Sequence, residues 1–145
     1  MNRGAGDASL REARWSCEIP SRIDRVDGIC REMRQRLEAH RLSGLCFDME
    51  LLAREFLNNA ILHGNSGQAR KKVRLEMSFG RRWIRLQITD QGEGFSWRRR
   101  LRTLPGEEED GGRGIGIGLL YSDRIRFSRK GNQVTLWRKR QTGKE

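Results

Sequence analysis

The spacing of apolar residues changes once along this chain, between Gly64 and Gly67, and this change limits the possible folds more than any other feature. Before it, apolar residues recur every three or four positions over two long segments, which is typical of amphipathic helices. After it, apolar and polar residues alternate over several short segments, which predicts strands with one buried face. Because helices and strands come in separate runs, the sequence predicts an α+β fold.

Two helices are predicted before the change of period. The first runs to about Ala39 and starts at a capping box formed by Ser21 and Asp24. The second runs from Asp48 to His63 and stops at a glycine-containing segment. The predicted buried residues are Ile23, Val26, Cys30, Met33 and Leu37 on the first helix, and Met49, Leu52, Ala53, Phe56 and Ala60 on the second.

The alternating segments predict a sheet. The strands are expected at residues 15–19, 73–79, 84–88, 124–127 and 133–137, with a short helix at 119–122 that follows a glycine-rich turn, GGRGIGIG. Short turns between the second and third strands and between the last two indicate hairpins. The expected architecture is a two-layer α/β sandwich, in which a mixed, mostly antiparallel sheet is covered on one face by helices.

The length of 145 residues fits one domain. We expect a flexible N-terminus over 1–13, a single domain over 14–140 and a flexible C-terminus over 141–145. No stretch resembles a transmembrane helix or a signal peptide. The three cysteines lack metal-ligand or redox spacing, which favours buried thiols in a reducing compartment, so a cytoplasmic location is expected.

The net charge is +11, which raises the question of a nucleic-acid partner. The arginines are scattered, only WRRRLR (97–102) is dense, and no RNA-recognition motif, zinc finger or basic zipper is present. Basicity of this kind indicates a solvated face, an acidic protein partner or an anionic ligand, and it argues against direct nucleic-acid binding.

Three polar motifs interrupt the predicted elements. In the second helix, Glu55, Asn59 and His63 are four residues apart and therefore share one stripe at about 100° of rotation per residue. DQGEGF (90–95) follows a strand, and its Asp90 has the parity of the buried residues. Each motif alone has an ordinary interpretation: a solvated helix surface, a turn, and, for GGRGIGIG (111–118), a flexible linker. A dinucleotide fold is disfavoured because the sequence predicts no parallel β–α–β unit around these glycines.

Together the three motifs match the needs of a magnesium nucleotide. The Asp90 carboxylate can accept a hydrogen bond from the adenine amino group, and Gly92 and Gly94 let the backbone pass close to the base. Asn59 offers an oxygen to Mg²⁺, and Glu55 lies one turn away as a candidate base for an attacking hydroxyl. The glycines whose amide groups can bind phosphate at a helix start are Gly112, Gly114, Gly116 and Gly118.

The order E-x-x-x-N-A-x-x-H-G, D-x-G-x-G-F and G-x-G-x-G resembles the GHKL nucleotide-binding fold, and within it most closely the bacterial anti-sigma-factor serine kinases. The resemblance covers about residues 19–138. It implies a catalytic base at Glu55, a magnesium ligand at Asn59, adenine binding at Asp90, and an ATP lid over 96–110. Thr135 is a candidate second adenine contact through water, although a strand threonine is also ordinary. The implied phosphate and base contacts are Gly92, Gly94, Gly114 and Gly116.

The resemblance implies an ATP- and Mg²⁺-dependent protein serine/threonine kinase that holds a sigma factor and phosphorylates a serine on a STAS-type anti-anti-sigma protein. It also implies a homodimer, which an exposed edge at the first strand would favour. A non-catalytic, ATP-sensing binding module remains the alternative. We expect the chain to differ from histidine kinases and topoisomerases in lacking their additional domains, and the family motif does not explain its high charge.

Overall fold

The computed structural model describes residues 13–93 and 111–140, with the backbone alone at 111–115. The helices are α1 (Val26–Ala39), α2 (Cys46–Asn59) and α3 (Gly111–Tyr121). Single 3-10 turns precede the first two, at Ile23–Arg25 and Ser43–Leu45. The strands are β1 (Ala13–Pro20), β2 (Lys72–Phe79), β3 (Trp83–Thr89), β4 (Arg124–Phe127) and β5 (Gln133–Lys139).

The five strands form one sheet in the order β1-β2-β3-β5-β4, and every pair in it is antiparallel. The predicted α+β sandwich, both hairpins and the first strand are therefore confirmed, and no parallel pair is present among the described residues. Alternation along the strands gives the sheet an inner face, which packs on the helices, and an outer face. The inner face carries the buried apolar residues of the strands, for example Ile84, Leu86 and Ile88 on β3.

The helices bury the residues that their spacing predicts, with one exception. Every predicted residue of α2 is buried, and α1 buries Ile29 in addition to four of its five predicted residues. Ile23 is 44% exposed because the chain there forms a 3-10 turn ahead of α1 rather than its first turn. The predicted capping box is also wrong, since the Ser21 hydroxyl donates instead to the Lys71 carbonyl oxygen at 2.7 Å.

The second helix ends differently from the prediction. The α-helix stops at Asn59 and a π-helical turn, Ala60–Gly64, follows it, closed by a hydrogen bond from the Asn65 amide to the Ala60 carbonyl. A π turn is wider than an α turn, so the rotation of 100° per residue no longer applies beyond Asn59. His63 lies in this π turn and is exposed, whereas Glu55 and Asn59 before it are half-buried.

The glycine-rich segment is helical rather than a turn. Helix α3 begins at Gly111, eight residues before the predicted start at Leu119. Its packing against α2 supplies a tertiary reason that propensity does not contain, since glycine disfavours helices by about 1 kcal/mol per residue relative to alanine. No helix in the described residues is long and apolar enough to cross a membrane. All three cysteines are free thiols, and burial raises the pKa of the Cys17 thiol to about 11.

Candidate functional site

Helix α2 places Glu55 and Asn59 one turn apart, and both side chains are half-buried. The carboxylate and the amide therefore share one side of the helix, as the sequence predicts. The neighbouring Asn58 is also half-buried. Its Oδ1 atom is buried and accepts no hydrogen bond from the described residues, so packing alone leaves this acceptor unsatisfied.

The end of this helix is pressed against the segment that follows β3. A Cβ atom at Gly64 would overlap the Asp90 carboxylate, and a Cβ atom at Gly92 would overlap the Gly64 backbone carbonyl. The three residues therefore meet in a space that has no room for a side chain at either glycine. This contact joins the first two predicted motifs, and it places Asp90 on the inner side of the sheet as its parity predicts.

Asp90 is a half-buried carboxylate with one oxygen engaged. Its Oδ1 atom accepts a hydrogen bond of 2.7 Å from the Gly92 amide, and no described residue donates to Oδ2. Burial raises the pKa of the Asp90 carboxyl above its ordinary value, while the Gly92 hydrogen bond and the charges of Lys130 and Lys71 oppose that rise. A carboxylate with an unbonded oxygen in a partly desolvated position can bind an external amino group.

Asn65 lies in the glycine-containing segment that ends the second helix, and the sequence motifs did not predict a role for it. It is fully buried, and its Nδ2 donates to Ser21 Oγ at 2.7 Å and to the Lys72 carbonyl at 3.0 Å. Its Oδ1 accepts from the Gln91 amide at 2.8 Å. One side chain thus ties the end of β1, the start of β2 and the residue after Asp90 together. An asparagine directly after the helix-ending glycine was the only sequence signal for it.

Asn132 holds the other side of Asp90 and was also missed. The Asp90 amide donates to the Asn132 carbonyl at 2.9 Å, and the Asn132 side-chain amide donates back to the Asp90 carbonyl at 3.0 Å. The Asp90 backbone is therefore fixed from the β4–β5 turn, independently of Asn65. The sequence gave no sign of this contact, because Asn132 and Asp90 are forty-two residues apart.

The glycines of the third motif divide into two groups. Gly116 and Gly118 are buried, and a Cβ atom at Gly118 would lie 3.1 Å from Phe56 and 2.9 Å from Ile125. Gly118 therefore permits α3 to pack closely on α2, and its predicted contact with phosphate stays a prediction. Gly112 and Gly114 lie in the first half of α3. Gly94 and the predicted lid, 96–110, lie outside the described residues.

Thr135 does not join the site. Its neighbours Val134 and Leu136 are buried on the inner face, so alternation turns Thr135 to the outer face. There its hydroxyl accepts a hydrogen bond of 3.3 Å from Gln87 of β3. Its predicted contact with adenine would need the opposite side of the sheet, and we leave it out of the site.

The remaining residues fit an adenine nucleotide. Asp90 offers an acceptor in a cradle lined by glycine, and Asn59 offers an amide oxygen one turn from a carboxylate. No cluster of three or more histidine, cysteine, aspartate or glutamate side chains is present in the described part of the chain. Magnesium takes few protein ligands together with phosphate oxygens and water, so Asn59 suits it and such a cluster is not required.

Comparison with known proteins gives the same result. A family model for the histidine kinase-like ATPase domain matches residues 19–138, which include all three helices, strands β2 to β4 and most of β5. A search of curated proteins finds no significant match. The matched region covers most of the chain, and members of this family bind ATP. The chain belongs to the family of histidine kinase-like ATPase domains.

Proposed function

We propose that the protein is an ATP-dependent protein serine/threonine kinase that acts as an anti-sigma factor. In this proposal it holds a sigma factor inactive and phosphorylates a serine on a small STAS-type antagonist. The observation that carries the kinase activity is the Glu55–Asn59 pair: a half-buried carboxylate one turn from a half-buried amide on α2. The sigma factor and the antagonist rest on the sequence resemblance of the three motifs.

Each residue of the site has a role in the proposal. Asp90 accepts a hydrogen bond from the adenine amino group, and the Gly64–Gly92 contact keeps its carboxylate in place. Asn59 holds the magnesium ion, and backbone amides of α3 bind phosphate. Magnesium, when bound, neutralises charge on the phosphates and orients them. Glu55 accepts the proton of the serine hydroxyl, which is a poor nucleophile at neutral pH.

The proposal includes a homodimer in the cytoplasm. Strand β1 lies at one end of the sheet and pairs with β2 alone among the described strands. An unpaired edge strand invites pairing with a second chain. Light scattering at micromolar concentration should return about twice the chain mass of 16.9 kDa. A mass near that of one chain would exclude the dimer and leave the kinase proposal unaffected.

The kinase proposal is tested by incubating the protein with magnesium, radiolabelled ATP and a candidate STAS-type antagonist. We expect transfer of label to one serine of the antagonist, and none when that serine is replaced by alanine. ATP binding without transfer to any candidate antagonist or sigma-associated protein would instead support a non-catalytic, ATP-sensing module. Neighbouring genes for a sigma factor or a small antagonist would supply the candidates.

A further inference from the structure

The outer face of the sheet is strongly basic. Seven basic and two acidic side chains lie on it, a net charge of +5 out of +11 for the whole chain. One of the two carboxylates, Glu76, is 3.6 Å from Arg14. Nearly half of the net charge is therefore collected on one side of the domain. The basic residues of this outer face are Arg14, Lys72, Arg74, Arg85, Arg124, Arg126 and Lys139.

Strand register arranges three of these arginines in a line across all five strands. Arg14 is opposite Ser78, which is opposite Arg85, and the line continues through Trp137 to Arg124. The arginines stand on the first, third and fifth strands in space. Since neighbouring strands are about 4.8 Å apart, the arginines of this line repeat about every 9.6 Å.

Two tryptophans on the outer face carry cations over their rings. The Arg124 guanidinium lies 4.8 Å from the Trp137 ring centroid, and the Lys139 ammonium lies 5.7 Å from the Trp83 centroid. A stacked nucleobase would need ring faces of this kind, and here a charged group already occupies one face of each. Because these cations cover the ring faces, the surface favours binding of carboxylates over stacking of bases.

We propose that the outer face is a docking surface for an acidic helix of a partner protein, laid across the strands. Two turns of an α-helix advance about 10.8 Å, close to the repeat of the arginine line, so carboxylates two turns apart can each meet one arginine. A second copy of this chain is disfavoured here, because two faces of net charge +5 repel each other. The surface lies opposite the helix layer, and its occupation depends on neither ATP nor kinase activity.

The test uses a labelled helical peptide whose glutamates are spaced two turns apart on one side. A second peptide of the same composition has its glutamates distributed around the helix, and labelled single-stranded oligothymidine is the third probe. Fluorescence anisotropy should give the tightest binding for the first peptide, with or without magnesium and ATP. Tighter binding of oligothymidine, lost together with the outer-face arginines, would overturn the proposal in favour of a nucleic-acid surface.

Two double variants separate the outer face from overall charge. Arg14→Gln with Arg124→Gln removes two exposed charges of the arginine line, and Arg25→Gln with Arg31→Gln removes two exposed charges from the helix layer. The first should weaken binding of the first peptide about tenfold, and the second less than about twofold. Equal losses, or none, would overturn the proposal.

Tryptophan signals give an independent measurement on the unmodified protein. Binding of the first peptide should shift the indole N–H resonances of Trp83 and Trp137, whereas that of Trp15, which is buried against the helices, should stay in place. A shift of the Trp15 resonance without shifts of the other two would locate the peptide on another surface and overturn the proposal. This measurement does not require any variant to fold.

Discussion

The two faces of the sheet are built from the same strands and have different chemistry. The inner face is apolar over most of its length and becomes polar towards the ends of two strands, at Asp90 after β3 and at Arg138 of β5, which donates to Asp48 of α2. The outer face has no apolar core, and its charged side chains include the Arg14–Glu76 ion pair and two cations that lie over tryptophan rings. Because side chains alternate along each strand, packing against the helices positions the candidate site on the inner face. On the outer face, strand register alone sets the spacing of the charged side chains. Substitutions on the two sides should consequently affect different properties.

The largest expected effect is on phosphate transfer, at the helix that covers the inner face. Glu55→Gln keeps the shape of the side chain but cannot accept the serine proton. The rate of antagonist phosphorylation should fall by about 10²–10⁴-fold, while ATP binding is retained. Phosphorylation is measured in single-turnover assays and ATP binding by calorimetry.

Two variants accompany Glu55→Gln. Asn59→Ala should also lose magnesium-dependent ATP binding, because the metal loses a ligand. Glu38→Gln, on the exposed side of α1, should change neither property. If Glu55→Gln transfers phosphate to the antagonist at the wild-type rate, the result would favour the alternative of a non-catalytic, ATP-sensing binding module.

The next effect concerns nucleotide choice and stability at Asp90. Asp90→Asn should weaken ATP binding by about 1.5–3 kcal/mol, the usual loss for a hydrogen bond to a charged group. Because burial raises the pKa of Asp90, ATP affinity of the wild type should fall on acidification at a higher pH than for an ordinary aspartate. Calorimetry over a pH series measures both quantities. Equal affinity of the wild type for ATP and GTP would contradict the assignment.

The same pKa shift has a consequence for folding. Between the ordinary and the raised pKa, the folded protein binds a proton that the unfolded chain does not, so this group's contribution to stability decreases as pH rises through that window. At neutral pH, Asp90→Asn should therefore match or exceed the wild type in free energy of unfolding, although it binds ATP poorly. The exposed Asp24→Asn serves as the control for urea unfolding.

The glycine contact should matter less for ATP and more for folding. Gly92→Ala forces a Cβ atom onto the Gly64 carbonyl, which is backbone and cannot rotate away, so we expect a loss of about 1–3 kcal/mol in unfolding free energy. Gly28→Ala on α1 is the matched control. Nothing lies within 4 Å of its added Cβ, and alanine should stabilise the helix by up to about 1 kcal/mol. Equal effects of the two substitutions in urea unfolding would contradict the close contact.

The sequence predicts the parts of this domain that depend on local period. The helices and the Glu55–Asn59 pair follow from the helical rotation of about 100° per residue. The strands and the inward position of Asp90 follow from the two-residue alternation of side chains along a strand. Alternation also places Thr135 on the outer face, since Val134 and Leu136 are apolar, so that expectation could have been corrected from the sequence.

The remaining features depend on partners that are distant in sequence. The Asn65 side chain joins Ser21 and Gln91, which are forty-four and twenty-six residues away, and no local pattern identifies such a buried junction. Helix α3 packs on α2, with Gly118 next to Phe56, whereas local propensity alone predicts a turn for this glycine-rich segment. Tertiary contacts decide the structure in both cases.

The smallest expected effect on stability belongs to the outer face. Arg74→Gln with Arg126→Gln should change the free energy of unfolding by less than about 0.5 kcal/mol, because both side chains are exposed and neither forms an ion pair among the described residues. Binding of an acidic partner should nevertheless weaken steadily with added salt, since exposed charges are screened over about 8–10 Å at physiological ionic strength. ATP binding, which uses a partly buried carboxylate and a metal ion, should respond less. Urea unfolding measures the change in stability, and salt titrations measure the affinities for both ligands. An affinity for the acidic partner that does not depend on salt would show that the basic surface has no role in recognition.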